Sequence, residues 1–144
     1  MSDKISKRLL EIIEALPYED GFRILEIGCG PGVAARALAR RMQRGYVLGI
    51  DRSAKAIQQA LSGSQAEIRT RRLEFRQVAI EDLELPPDEE RFDLAFAVRV
   101  GALDGRHPES EQAALNQIRK ALKKSGRLFI DGGQPLREIE CHLH

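Results

Sequence analysis

Residues Glu26-Ile27-Gly28-Cys29-Gly30-Pro31-Gly32 put an acid just ahead of a glycine-rich turn. Glycines between a strand and a helix commonly serve phosphate, because a backbone without Cβ atoms admits a close ligand and the open helix amides face it. A carboxylate beside a phosphate is electrostatically unfavourable, and Pro31 takes one N–H donor out of the loop. The spacing is G-x-G-x-G, and Val33 stands where the dinucleotide fingerprint G-x-G-x-x-G requires glycine. These features argue against a nicotinamide dinucleotide and suit a ligand with a positive centre, an ammonium group and a ribose. Asp51, about 20 residues past the turn, is spaced to accept from both ribose hydroxyls; the alternative is a turn aspartate capping the next helix.

The elements that must position these residues follow from periodicity. Ile5, Leu9, Ile12, Ile13 and Leu16 recur at helical spacing up to Pro17. Arg23 to Ile27 reads as a short buried strand entering the turn, Val33 to Met42 as a helix, and Tyr46 to Ile50 as a second strand ending at Asp51. Ser53 is an N-cap for a helix to about Leu61. Leu73 to Ala79 and Phe92 to Val100 are the third and fourth strands. A helix opens near Pro108, with Glu109 and Glu111 in its first turn and Lys120, Lys123 and Lys124 in its last, and ends at Gly126. Arg127 to Asp131 is the fifth strand. Strands alternating with helices, and apolar runs such as Leu94-Ala95-Phe96-Ala97-Val98, predict an α/β fold: a doubly wound, Rossmann-like, mostly parallel sheet with strand order 3-2-1-4-5.

The chain of 144 residues, 42% hydrophobic and 31% charged, is sized for one domain over residues 1–144. Its formal net charge of +1 gives no bias toward nucleic acid or anionic membrane. No apolar run approaches transmembrane length, and the two cysteines, Cys29 and Cys141, sit in no metal-like spacing, so a reduced cytoplasmic setting is expected. Arg36, Arg40 and Arg44 form a basic stripe, and Arg69, Arg71, Arg72 and Arg76 crowd the approach to the third strand; solvated faces are the expectation for both. Cys141-His142-Leu143-His144 is too short a cluster to predict a metal site.

Arg23-Ile24-Leu25-Glu26-Ile27-Gly28-Cys29-Gly30-Pro31-Gly32 resembles the first motif of class I S-adenosylmethionine-dependent methyltransferases of the small-molecule type. Gly49-Ile50-Asp51-Arg52-Ser53 is similar to that family's acidic second-strand end, and Glu81-Asp82-Leu83-Glu84-Leu85-Pro86 to its loop after the third strand. Phe92-Asp93-Leu94-Ala95-Phe96 and Ile118-Arg119-Lys120-Ala121-Leu122-Lys123-Lys124-Ser125-Gly126-Arg127-Leu128 resemble its fourth strand, late helix and fifth strand. The ordered set spans roughly residues 20 to 132. The resemblance implies S-adenosylmethionine as cofactor. It places the backbone at Gly28 and Gly30 on the methionine end, with Glu26 beneath the turn, and Asp51 with neighbouring Arg52 at the ribose. Ile80 and Glu81 fall at the adenine, where Ala79 replaces the family's usual acid. Cys29 reads as a packing residue, while Val98 and Arg99 complete the cofactor-binding set.

The acceptor belongs beyond the fourth strand, around Val98-Arg99-Val100-Gly101-Ala102-Leu103-Asp104-Gly105-Arg106-His107-Pro108. The family's Asn/Asp-Pro-Pro-Tyr/Phe motif of amide and base N-methylation is absent. Arg99 suits an acceptor carboxylate, the cofactor's own carboxylate, or a nearby acid at the surface. His107 is a candidate base, with a structural role as its alternative, so no catalytic residue is assigned. After Gly132-Gly133-Gln134-Pro135, Ile139, Cys141 and Leu143 alternate with polar residues. That pattern predicts a hairpin strand antiparallel to the fifth, giving order 3-2-1-4-5-6, with a frayed end as the alternative. The C-terminus is short for the family, and the open sheet edge suggests a homodimer or a partner protein. Methyl transfer to a small-molecule acceptor is the leading expectation. A non-catalytic S-adenosylmethionine-binding module that regulates or completes a partner is the alternative.

Overall fold

Six strands form one sheet in the order β3-β2-β1-β4-β5-β6 in a computed structural model that describes residues 4–100, 103 and 108–141. In chain order the elements are α1 (Lys7–Ala15), β1 (Arg23–Ile27), α2 (Val33–Arg41), β2 (Tyr46–Asp51), α3 (Ala54–Gly63), α4 (Gln65–Arg69) and β3 (Leu73–Gln77). A 3-10 turn at Ile80–Asp82, then β4 (Phe92–Ala97), α5 (Pro108–Ala121), β5 (Leu122–Asp131) and β6 (Leu136–Ile139) complete the chain. Every strand pair is parallel except β5 with β6, which is antiparallel. Strand order reverses between β1 and β4, so the crevice at their carboxyl ends is the switch point where such sheets bind ligands.

Both faces of the sheet are covered. Ile13, Leu38, Ile57, Phe75 and Phe96 lie in one core, and Leu25, Ile50, Ile118, Leu128 and Ile130 in the other. Burying each such side chain contributes about 1.5–3 kcal/mol, which explains why the central strands are apolar on both sides. The helix starts follow local chemistry: the Ser6 side chain accepts from the Leu9 amide at 3.1 Å and Ser53 from that of Ala56 at 3.1 Å. Tyr18 packs against the same core as α1, which Ile13 and Leu16 fasten to the sheet face, while Ile12 is also fully buried. The helix is therefore a core layer on that face of the sheet.

The C-terminal hairpin forms as the alternation of Ile139 and Cys141 indicates, with Leu128 opposite Ile139 and Asp131 opposite Leu136. Arg127 grips Glu138 across it at 2.9 and 2.8 Å. Beyond β6, the Arg119 Nε–H of α5 donates to the Cys141 carbonyl, and Cys141 is buried. His142, Leu143 and His144 lie outside the described residues, as do Asp104, Gly105 and His107.

β3 ends at Gln77 and β4 at Ala97, short of the expected Ala79 and Val100, and the boundary between α5 and β5 shifts most. Helix α5 stops at Ala121 instead of continuing to Gly126, and β5 begins at Leu122. Leu122 pairs opposite Phe92, whereas Arg127 pairs opposite Leu94, so the intervening residues bulge from the sheet. The Lys123 ammonium lies 3.1 Å from Glu90 and 3.1 Å from Asp93, a bridge that another helical turn would break. Gly126 fits because a Cβ there would stand 2.9 Å from the Phe92 carbonyl oxygen. Helix α4, between Ser64 and Thr70, is a further element that periodicity alone does not reveal.

Candidate functional site

Strand β1 delivers its chain into the glycine turn at the centre of the sheet, between β2 and β4. Gly28 and Gly30 have φ of +69° and +54°, which side chains other than glycine rarely adopt. A Cβ on Gly28 would meet Val100 Cγ2 at 2.7 Å, while one on Gly30 would meet nothing within 4 Å. The turn is thus packed on the Val100 side and open at Gly30, as a ligand cradle requires.

Neighbouring elements hold it in place. The Cys29 amide donates to the Ile50 carbonyl at 2.9 Å, and the Gly30 amide to Asp51 Oδ2 at 2.9 Å. The other Asp51 oxygen accepts from the Ser53 amide at 2.9 Å. One carboxylate therefore joins the end of β2 to both the turn and the start of α3. From the other side, Arg36 Nη1 donates to the Pro31 carbonyl at 2.9 Å and the Ser64 hydroxyl at 2.8 Å.

Arg36 is a correction to the solvated-stripe expectation, being only 4% exposed. Its neighbours in α2 are alanines, small enough to let it lie down between helices. Of the other basic residues, Arg40 bonds Glu67 at 2.7 Å, Arg76 bonds Glu74 at 2.8 Å, and Arg72 caps α2 through the carbonyls of Ala39 and Met42, while Arg69 and Arg71 are exposed as expected.

Glu26 is the unusual group. It is 4% exposed, and its Oε1 has no hydrogen-bond partner. Burial pushes its carboxyl up to about 8, and the nearby Asp51 charge adds to the rise. A hydrogen bond donated by the Ala35 backbone amide in the first turn of α2 and the charge of Arg36 oppose the shift. A buried, half-satisfied carboxyl beneath an open glycine turn is costly unless something cationic approaches. That observation fits a sulfonium and ammonium ligand and does not fit a pyrophosphate. Cys29 behaves differently: burial first, then the charges of Glu26 and Asp51, push its thiol far above the ordinary range. It packs and is inert as a nucleophile.

The remaining predicted residues line the carboxyl ends of the strands. Arg52 is exposed just past β2, and its carbonyl accepts from Gln77 at 3.4 Å. Ile80 is buried in the α5-side core with Leu83, so this segment offers the crevice its backbone, while Glu81 is half-buried. Val98 is half-buried beyond β4. The Arg99 side chain is exposed; its residue holds φ of +58° and its amide donates to Asp131 Oδ1 at 3.0 Å. Sequence reasoning missed Asp131, which ends β5 and also bonds Arg8 of α1 at 3.1 Å through Oδ2. The available signal was an acid closing an apolar strand just before Gly132-Gly133. No helix among the described residues is long and apolar enough to cross a membrane.

The family model described as a methyltransferase domain matches residues 18–140. An O-methyltransferase of Aspergillus nomiae is 30% identical over 139 residues, covering 93% of this chain and 59% of that protein. A ubiquinone biosynthesis O-methyltransferase of Alkalilimnicola ehrlichii is 39% identical over 124 residues, covering 85% and 46%. The chain thus spans about half the length of these curated relatives. A solved S-adenosylmethionine-dependent methyltransferase from Thiobacillus denitrificans, in complex with S-adenosyl-L-homocysteine, shares the fold at a TM-score of 0.67 and 22% identity, over 88% of this chain and 48% of that one. The match runs from ahead of β1 through β6, across the turn, the strand ends and the hairpin that build the site, and the chain belongs to the class I S-adenosylmethionine-dependent methyltransferase family.

Proposed function

We propose that this domain binds S-adenosylmethionine at the glycine turn and transfers its methyl group to a small-molecule acceptor. The observation that carries the reading is the buried, unpartnered Oε1 of Glu26 below the turn, beside the Asp51 carboxylate. S-adenosylmethionine supplies an electrophilic methyl on a sulfonium. Asp51 accepts from the ribose hydroxyls with lone pairs left over from the Gly30 and Ser53 amides. Gly28 and Gly30 receive the methionine end on bare backbone, and Glu26 offsets its positive charge from behind. Arg52, the Ile80 backbone and Glu81 flank the adenosine, and Val98 with Arg99 closes the crevice from β4. Positioning and exclusion of water are then the chain's main contributions to an in-line displacement. The O-methyltransferase names of the two relatives support methyl transfer as the reaction class.

A second reading rests on the outer edge of β6, which ends the sheet. Unpaired strand edges invite pairing, so a second copy or a partner protein docking there would make this a cofactor-binding module of a larger assembly. A related fold has been solved as a complex of the Haloferax volcanii Trm112 methyltransferase activator with a putative methyltransferase. Sedimentation at high concentration checks the homodimer, and a strict monomer removes it.

Calorimetry with S-adenosylmethionine, S-adenosylhomocysteine and NADH, on the unsubstituted protein and Asp51→Ala, tests the main reading. The first two ligands bind and the substitution weakens them; absence of binding, or equal binding by Asp51→Ala, overturns it. Binding without turnover on any acceptor, together with a stable partner, favours the module.

A further inference from the structure

A cavity of about 180 Å³ opens at the carboxyl ends of β4 and β5. Val100, Leu103 and Ile130 give it apolar walls, with Asp131 and Arg137 as its charged groups. Val100 ties it to the glycine turn, because the same side chain packs against Gly28. Val100 therefore borders both the cavity and the turn proposed to hold the methyl donor. It is smaller than the roughly 300–1,000 Å³ of drug-sized sites, so its ligand is small.

Among the described residues, the charges around it do not balance. Both Asp131 oxygens are occupied, one by Arg8 at 3.1 Å and one by the Arg99 amide at 3.0 Å. Glu138, the acid next to Arg137 on β6, is held by Arg127 at 2.8 Å. Arg137 lies opposite Ile130 in the hairpin, beside the cavity, and its side chain has no ion-pair or hydrogen-bond partner among the described residues. Among the described residues, the unmatched charge of the cavity is a guanidinium, which binds carboxylates by two parallel hydrogen bonds.

We propose that this cavity is the acceptor site and that Arg137 selects a small carboxylate-bearing acceptor. The proposal rests on the methyl-transfer reading above for the word acceptor; the carboxylate site itself stands on the geometry. A carboxylate is favoured over a phosphate because the Asp131 carboxylate shares the rim and opposes a dianion.

Benzoate, benzamide and phenyl phosphate serve as probes, titrated at neutral pH by methyl NMR with and without S-adenosylhomocysteine. Benzoate is expected to shift the methyl resonances of Val100, Leu103 and Ile130, and benzamide to leave them in place. Arg137→Gln weakens benzoate at least tenfold while S-adenosylhomocysteine affinity stays within twofold, and Arg137→Lys restores part of the loss. Benzoate binding that is absent, maps elsewhere or is indifferent to Arg137→Gln overturns the proposal, as does phenyl phosphate binding more tightly. Failure of S-adenosylhomocysteine to bind sinks the methyl-donor reading, while the benzoate titration without it still decides the carboxylate site. The shift map on the unsubstituted protein decides the matter even where a substitution disturbs the hairpin.

Discussion

The Asp51 carboxylate accepts the Gly30 amide hydrogen at 2.9 Å, so the acid that closes β2 also shapes the turn that closes β1. Ligand binding and turn geometry are coupled through one side chain. Charge-assisted hydrogen bonds contribute about 1.5–3 kcal/mol each, or roughly tenfold or more in affinity per bond. Asp51→Ala should therefore weaken S-adenosylhomocysteine at least tenfold and expose the Gly30 amide to hydrogen exchange. Asp51→Asn, which keeps an acceptor oxygen, should show a smaller change in both. Exchange at Gly30 that is equal in all three proteins would break the proposed coupling.

Glu26 makes both stability and donor binding depend on pH. Its folded-state carboxyl titrates near 8, well above the ordinary carboxyl range, so the folded protein holds a proton that the unfolded chain has released. Its contribution is fully present below the ordinary carboxyl range and declines as pH rises through about 8, by at most about 1.4 kcal/mol per pH unit. A cationic donor reverses the preference, since it stabilises the carboxylate. Binding of S-adenosylmethionine should release a proton and tighten as pH climbs toward 8. Thermal melts should show a stability slope over this range that Glu26→Gln flattens, and calorimetry in buffers of different ionisation heat should detect the proton. A slope unchanged in Glu26→Gln would assign the pH dependence to other groups.

What the sequence makes legible here is what depends on near neighbours. The glycine turn, the acid at the end of β2 and the Ser53 cap are local patterns, and the alternation around Ile139 is enough for the hairpin. Arg36 is illegible because its burial depends on Ser64, 28 positions away at the junction of α3 and α4. Asp131 meets Arg8 across 123 positions, a pairing only the assembled fold provides. The end of α5 departs from the local pattern for the same reason. Lysines there suit a helix dipole, yet Lys123 is drawn out by Glu90 and Asp93 ahead of and within β4.

Gly28 and Val100 meet where the turn borders the neighbouring cavity, and their contact is testable in isolation. Gly28→Ala introduces a Cβ into a left-handed backbone, at a cost of about 1–2 kcal/mol, and drives it against Val100. Val100→Ala in the same protein removes the clash but not the backbone strain. A double-mutant cycle by urea unfolding should therefore show the two substitutions less destabilising together than the sum of each alone. Additive losses would mean that Val100 does not press on the turn.

Arg36 holds the turn from below, and its loss should be felt in both folding and binding. Arg36→Met keeps the length of the side chain but leaves the Pro31 carbonyl and the Ser64 hydroxyl without this donor. It also removes the positive charge that offsets the Glu26 carboxylate. Breaking such a buried constellation costs about 2–4 kcal/mol, read as a lower urea midpoint at unchanged slope. With that charge gone, the Glu26 carboxyl moves further up, so the pH at which S-adenosylmethionine binding reaches its plateau should rise in Arg36→Met. Arg36→Lys keeps the charge without the planar fork, so the pH profile should return toward normal while much of the stability loss persists. The two readouts separate the roles: a normal pH profile in Arg36→Met would leave Arg36 as a packing staple alone, with no part in tuning the acid beneath the turn.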